Sequence, residues 1–207
     1  MRYARPLALA VTGLALTATL VACGASTNDG GMNDGTSSSS SVTGQAADVA
    51  FAQLMIPHHA QAIEMAELAL EYGSSVEVKT LATQIKGAQD PEIAAMTQWL
   101  DGWDAPLQMP GSDESGMPGM DHSDMDTGGM SASGMMSEED MNSLGQARGA
   151  DFDSMWLQMM IAHHQGAIAM AEQVLATTTD EQVKDLAQDV VAGQNAEIDT
   201  MQQLLAS

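Results

Sequence analysis

Hydrophobic positions recur at helical spacing along four long stretches of this chain. The first runs from Asp48 to Tyr72. At a turn of ~100° per residue with Met55 set at zero, Phe51, Ala62, Ala66, Ala69 and Leu70 lie within roughly 60° of it. Ile63 and Met65 fall within about 80°, while Gln53, Glu64 and Glu71 take the opposite face. His58 and His59 flank the centre of the stripe at roughly −60° and +40°, so both imidazoles are expected to face a core. Gly73 suits the helix end. Ser74 or Ser75 can cap a second helix reaching about Asp101, with Val78, Leu81, Ile85, Ala88, Met96 and Trp99 inward. Gln89 falls at the margin of that stripe and Glu92 in its middle. A carboxylate there needs a partner, which an imidazole of the doublet or a metal ion would supply.

The second half repeats the pattern. Asp151 to Ala176 carries Trp156, Met160, His163, His164, Ala167, Met170 and Ala171 on one face. The Thr177–Thr179 run makes a turn, and Asp180 to Leu205 places Val183, Leu186, Val190, Glu197, Met201 and Leu204 inward. Sliding the chain along itself by a constant step lays Asp48–Leu100 over Asp153–Leu205 without a gap, with about 20 of roughly 50 positions identical. Among the matches are Gln53/Gln158, Met55/Met160, His58/His163, His59/His164, Gln89/Gln194, Glu92/Glu197 and Met96/Met201. Two duplicated helical hairpins predict an all-α fold, a four-helix bundle with pseudo-twofold symmetry. Hairpin one spans 48–103, and 137–207 holds a short helix plus hairpin two, the two hairpins forming one domain. The short helix opens on Ser137-Glu138-Glu139-Asp140, which reads as a capping box, and ends near Arg148. Pro57 and Pro91 occur only in the first copy, where each is expected to kink its helix or free a carbonyl.

Residues 104–136 break the periodicity. Met109, Met117, Met120, His122, Met125, Met130, Met135 and Met136 are spread through Gly, Ser, Asp and Pro. Thioether and imidazole together are a soft donor set suited to Cu(I), so Met117, Met120, His122 and Met125 are candidate ligands. Methionines in such a linker can also serve as adaptable hydrophobic surface. Eighteen methionines and five histidines stand against 3% aromatic residues, and every histidine lies in a doublet or this linker. The formal charge of −22 argues against nucleic acid and favours accumulation of cations.

At the N-terminus, Arg2 and Arg5 precede an apolar run from Leu7 to Leu20 and the sequence Leu20-Val21-Ala22-Cys23. Residues 1–22 read as a signal peptide, and Cys23 as the acylated first residue of a bacterial lipoprotein. It is the sole cysteine, so no intramolecular disulfide can form. Ser/Gly-rich residues 23–47 read as a flexible tether. The expected place is outside the cytoplasm, with the membrane met through the lipid alone.

Inside a bundle, two doublets, two glutamates and the methionines Met55, Met96, Met160 and Met201 form a candidate metal centre. Copper suits histidine with methionine. Zinc would want His58, His59 and Glu92 in a closed tetrahedron. A di-iron carboxylate centre needs Glu-x-x-His on two helices, which is missing here. Structural histidines without metal are the remaining alternative. Neighbouring histidines sit ~100° apart, so one of each doublet can be an outer partner of the ligand rather than a ligand.

Met-Ile-x-His-His followed by Ala-Ile-x-Met-Ala, present twice, with Gln89, Glu92-Ile93, Met96 and Trp99-Leu100 behind the first, resembles the bacterial domain of unknown function 305 family. Gly134 to Met141 is similar to that family's inter-repeat segment. The resemblance implies a ferritin-like bundle and copper handling in the cell envelope on Met55, His58, His59, Met160, His163 and His164. It does not imply catalysis, since the family as a whole lacks an assigned reaction. The expectation is therefore an anchored protein that buffers, sequesters or delivers copper as Cu(I), with a ferritin-like redox enzyme or a metal-free interaction module as alternatives. A homodimer is left open.

Overall fold

The computed structural model describes residues 36–109 and 134–207. They form α1 (Thr36–Tyr72), α2 (Val76–Gly102), α3 (Glu138–Gln146), α4 (Gly149–Leu175) and α5 (Glu181–Leu205). The signal-like residues, Cys23 and the linker donors Met117, Met120, His122 and Met125 lie outside the described residues.

Helix ends follow the capping chemistry in the sequence. Ser75 accepts from the Val78 amide at 3.1 Å and starts α2. Asp180 takes the amides of Gln182 and Val183 and starts α5. Ser137 and Asp140 close a reciprocal capping box on α3. The exception is α1, which begins at Thr36, inside the stretch read as tether. Adding residues to an existing helix is far cheaper than nucleating one, and Ser and Thr do not break it. Its Gly44 is seated near the α4–α5 turn, where an added Cβ would lie 3.7 Å from the Thr177 carbonyl oxygen. Pro57 and Pro91 both sit inside continuous helices.

The α1–α2 and α4–α5 hairpins pack chiefly through α1 against α4, with α3 laid over that seam; α2 and α5 meet sparsely. The result is the four-helix bundle of paired hairpins, all-helical among the described residues. Its apolar core has two parts. One joins Met65, Ile85, Phe152, Trp156, Met160 and Met201; the other joins Phe51, Met55, Met96, Leu100, Val183 and Val190. Trp156 is fully buried and its indole N–H donates to the Met65 carbonyl at 2.8 Å.

Three positions depart from the helical wheel, one of them Ala88, placed inward but exposed beside the sparse α2–α5 contact. Gln53, placed on the outer face, is buried because the chain beyond α2 folds over it, and its amide donates to the Pro106 carbonyl at 2.6 Å. Leu70, placed inward, is 38% exposed, since it lies in the last turn of α1 where the bundle ends.

The first matched pair of the repeat, Asp48 and Asp153, ties the halves together. Asp153 on α4 accepts from the Ser74 amide (2.9 Å), the Ser74 hydroxyl (2.5 Å) and the Ser75 amide (2.9 Å) in the α1–α2 turn. Burial pushes its carboxyl up, but the bonds from Ser74 and Ser75 outweigh that and hold it below the usual range. On α1, Asp48 reaches the other turn with fewer partners. Burial pushes it up, a Thr178 hydrogen bond opposes, and Asp180 repels its charge, leaving it raised. The signs are opposite. Asp153 stabilises above the unfolded carboxylate value of ~3.9, and that contribution disappears as pH falls through its lower folded value. Charged Asp48 costs stability at neutral pH and recovers it as pH drops through its raised value. Asp153→Ala is expected to lose about 2–3 kcal/mol at pH 7 and less at pH 3, below the unfolded carboxylate value. Asp48→Asn should leave stability at pH 7 unchanged or higher. Urea unfolding at the two pH values measures both.

Candidate metal centre

Between the two apolar clusters lies a polar layer to which each long helix contributes two side chains. They are His58 and His59 from α1, Gln89 and Glu92 from α2, His163 and His164 from α4, and Gln194 and Glu197 from α5. On α1, Phe51, Ala52 and Met55 enter one cluster and Ala62, Met65 and Ala66 the other, so the doublet must fall between them. The same alternation holds on α4. All four imidazoles are at most 1% exposed.

The halves are nearly superimposable in their chemistry. His59 Nε2 lies 2.6 Å from Glu92 Oε2, and His164 Nε2 lies 2.7 Å from Glu197 Oε2. Ring centroids within the doublets are 6.5 and 6.4 Å apart, tilted by 55° and 56°. Across the repeats, His58 and His163 stack with centroids 3.7 Å apart. A carboxylate accepting from Nε2–H leaves the lone pair of each outer ring on Nδ1. In His59 and His164 that Nδ1 is buried and without a hydrogen-bond partner.

In His163 neither ring nitrogen makes a hydrogen bond of good geometry, although the His58 backbone contacts the ring. Burial pushes its pKa well below the ordinary histidine value, and the neighbouring His58, His164 and His59 add to the shift. A hydrogen-bonding contact from the His58 backbone opposes this without reversing it. A ring held neutral keeps the lone pair of one nitrogen available and is chemically fit to ligate a metal.

The geometry sorts the candidates. With a metal–nitrogen bond of ~2 Å and a ring adding about 1 Å, two imidazoles on one ion have centroids at most roughly 6 Å apart. His58 and His163 meet that limit, whereas the rings of one doublet slightly exceed it. The closed zinc tetrahedron from His58, His59 and Glu92 is therefore not formed: His59 is taken by Glu92 and His58 turns to His163. Among the described residues, no three of His, Cys, Asp and Glu stand together as a ready metal site. Other soft donors are thioethers. Met55 and Met96 lie in the cluster on one side of the layer and Met160 and Met201 in the cluster on the other, all fully buried.

Sequence reasoning placed Gln89 only at the margin of its face, yet it is 2% exposed, and its repeat mate Gln194 is 4% exposed. Their matched positions were the available signal. It missed Gln61, whose amide forms a two-bond clamp with Met136, donating to its carbonyl (2.9 Å) and accepting from its N–H (2.7 Å). Just before the clamp, Gly134 has φ +75° and touches α4, where a Cβ would come within 2.5 Å of the Ala162 carbonyl oxygen. The end of the methionine-rich linker is thus fastened beside the His163–His164 doublet.

A duplicated helical hairpin with a histidine–glutamate layer at mid-height defines the class. The chain belongs to the family called domain of unknown function DUF305, whose sequence profile matches residues 48–205. It is similar to the crystal structure of a DUF305 fragment from Deinococcus radiodurans, with a TM-score of 0.64 and 32% identity over 77% of this chain and 95% of that one. It is similar also to CopM in the Cu(II)-bound form, with a TM-score of 0.62 and 32% identity over 77% and 95%. For CopM in the Cu(I)-bound form the values are 0.58 and 30%, over 76% and 94%. No curated protein matches the chain.

Proposed function

We propose that this protein binds copper as cargo, chiefly Cu(I), outside the cytoplasm, and buffers, sequesters or hands on the ion rather than transforming a substrate. The observation that carries this reading is His163: a fully buried, neutral ring whose nitrogens make no hydrogen bond of good geometry, packed 3.7 Å from the ring of its repeat mate His58 between two clusters that contain buried methionines. A purely structural histidine is expected to satisfy at least one nitrogen. His59 and His164, oriented by Glu92 and Glu197, offer Nδ1 toward the same layer in the manner of carboxylate-supported metal ligands. Met55, Met96, Met160 and Met201 supply thioether donors, a set that favours Cu(I) over zinc or iron. Solved structures of a relative with Cu(I) and Cu(II) agree with this choice.

In this reading Met117, Met120, His122 and Met125 collect the ion and raise its concentration around the bundle. Cys23 carries the lipid that holds the protein at the membrane. No described helix is long and apolar enough to cross one.

Cu(I) titration of the full chain against a chromophoric chelator tests the proposal. Alanine at His58, His59, His163 and His164 together should abolish the tight bundle site. Alanine at the four linker donors should slow loading and leave that site intact. Full binding by the histidine variant, lost instead with the linker donors, would move the site out of the bundle.

A further inference from the structure

Where α2 and α5 diverge, a small cleft of about 30 Å³ opens onto the polar layer. It is bordered by Ala88 and Gly193, by Asp189 and by the four layer residues Gln89, Glu92, Gln194 and Glu197. We infer that this cleft is the port by which a Cu(I) or Ag(I) ion enters and leaves the histidine layer. The inference rests on the copper reading above, and specifies the route.

Three features point the same way. The rim residues Ala88 and Gly193 occupy matched positions of the repeat and are both small, and an added Cβ at Gly193 would meet nothing within 4 Å. Small residues on both sides keep the gap open where the other helix pairs close theirs. The wall is acidic: Glu92 and Glu197 are 21% and 19% exposed, and Asp189 is exposed at the rim. Such a wall raises the local concentration of cations. Behind it, the side-chain amide of Gln89 is buried with both its oxygen and its nitrogen unpartnered, and the Gln194 oxygen is likewise unsatisfied. Buried amides without partners carry a desolvation cost, and are rarely kept without a role. At this depth their oxygens can replace the water shed by an entering cation. Glu92 and Glu197 then stand between port and ligands, each in contact with an outer imidazole. On the opposite face, among the described residues, α3 and the Gly134–Met136 segment cover the α1–α4 seam.

The test is a plug. Gly193→Leu with Ala88→Leu fills the rim without touching a candidate ligand. Stopped-flow loading with Ag(I), and chelator competition with Cu(I), should show association about tenfold slower, with equilibrium affinity unchanged. Gly87→Leu, exposed on α2 and outside the cleft, should load at the native rate. Asp189→Asn should lower the rate and its dependence on salt. Native loading rates in the plugged variant overturn the port, as does equal slowing in Gly87→Leu. A wild-type bundle that takes up neither ion overturns the copper reading itself, a result plainly different from a plugged protein that still binds at equilibrium.

Discussion

Alanine at His58 and His163 together is expected to weaken Cu(I) binding by the bundle by more than about 100-fold, since loss of an outer partner alone costs 10–100-fold. The helices should remain folded. Native-state contacts explain both halves of this expectation. The His163 nitrogens make no hydrogen bond of good geometry, so removing that ring orphans no partner and relieves a desolvation cost, while the space left behind costs packing. The two effects oppose each other at His163, so His163→Ala alone should shift the unfolding midpoint little. His59→Ala with His164→Ala should behave differently, stripping Glu92 and Glu197 of their partners; both carboxylates reach solvent, which limits the damage. Competition titration read beside thermal unfolding separates the pairs. A central pair that can be removed without loss of copper would end the idea that the stacked rings are ligands.

The second large effect lies in the core. Trp156→Ala is expected to cost about 4 kcal/mol or more, from the cavity left by a fully buried indole and the lost bond to the Met65 carbonyl. Total stability is typically about 5–15 kcal/mol, so the variant would be close to unfolding at modest temperature. Trp156→Phe retains most of the packing and loses the hydrogen bond, and should cost about 1–3 kcal/mol. Trp99 and Trp103, half-buried and packed with centroids 6.1 Å apart, should tolerate alanine better. Urea unfolding of the four variants orders them. Equal losses at all three tryptophans would contradict the assignment of Trp156 as the anchor between hairpins.

Much of this was visible in the residue order. The long helices follow from 3.6-residue periodicity, and their ends from Ser75, Ser137 and Asp180, because capping is local chemistry. The inward doublets followed from the same periodicity, and Glu92 and Glu197 were marked because a carboxylate on an apolar face must find a partner. Each found the second histidine of its own hairpin. Contacts that depend on how hairpins cross were not visible. The stack of His58 on His163 requires α1 and α4 to meet at one height, which no spacing within a helix encodes. Gln53 looked exposed because its cover, Pro106, arrives from 53 residues away. The Asp48 and Asp153 staples were legible only as matched letters, since each one's partners lie in the other hairpin.

That exchange of staples bears on ancestry. Each hairpin supplies an aspartate to its sister and borrows one in return, and the histidine stack takes one ring from each. A lone hairpin could complete none of this, but two identical hairpins related by a twofold axis could complete all of it. The present chain has the form of such a homodimer after fusion, and fusion releases the copies from identity. Proline at 57 and 91, the Gln53 bond and the Gln61 clamp are all confined to the first copy. The two halves are thus free to differ, and only the first holds the end of the linker through a glutamine clamp.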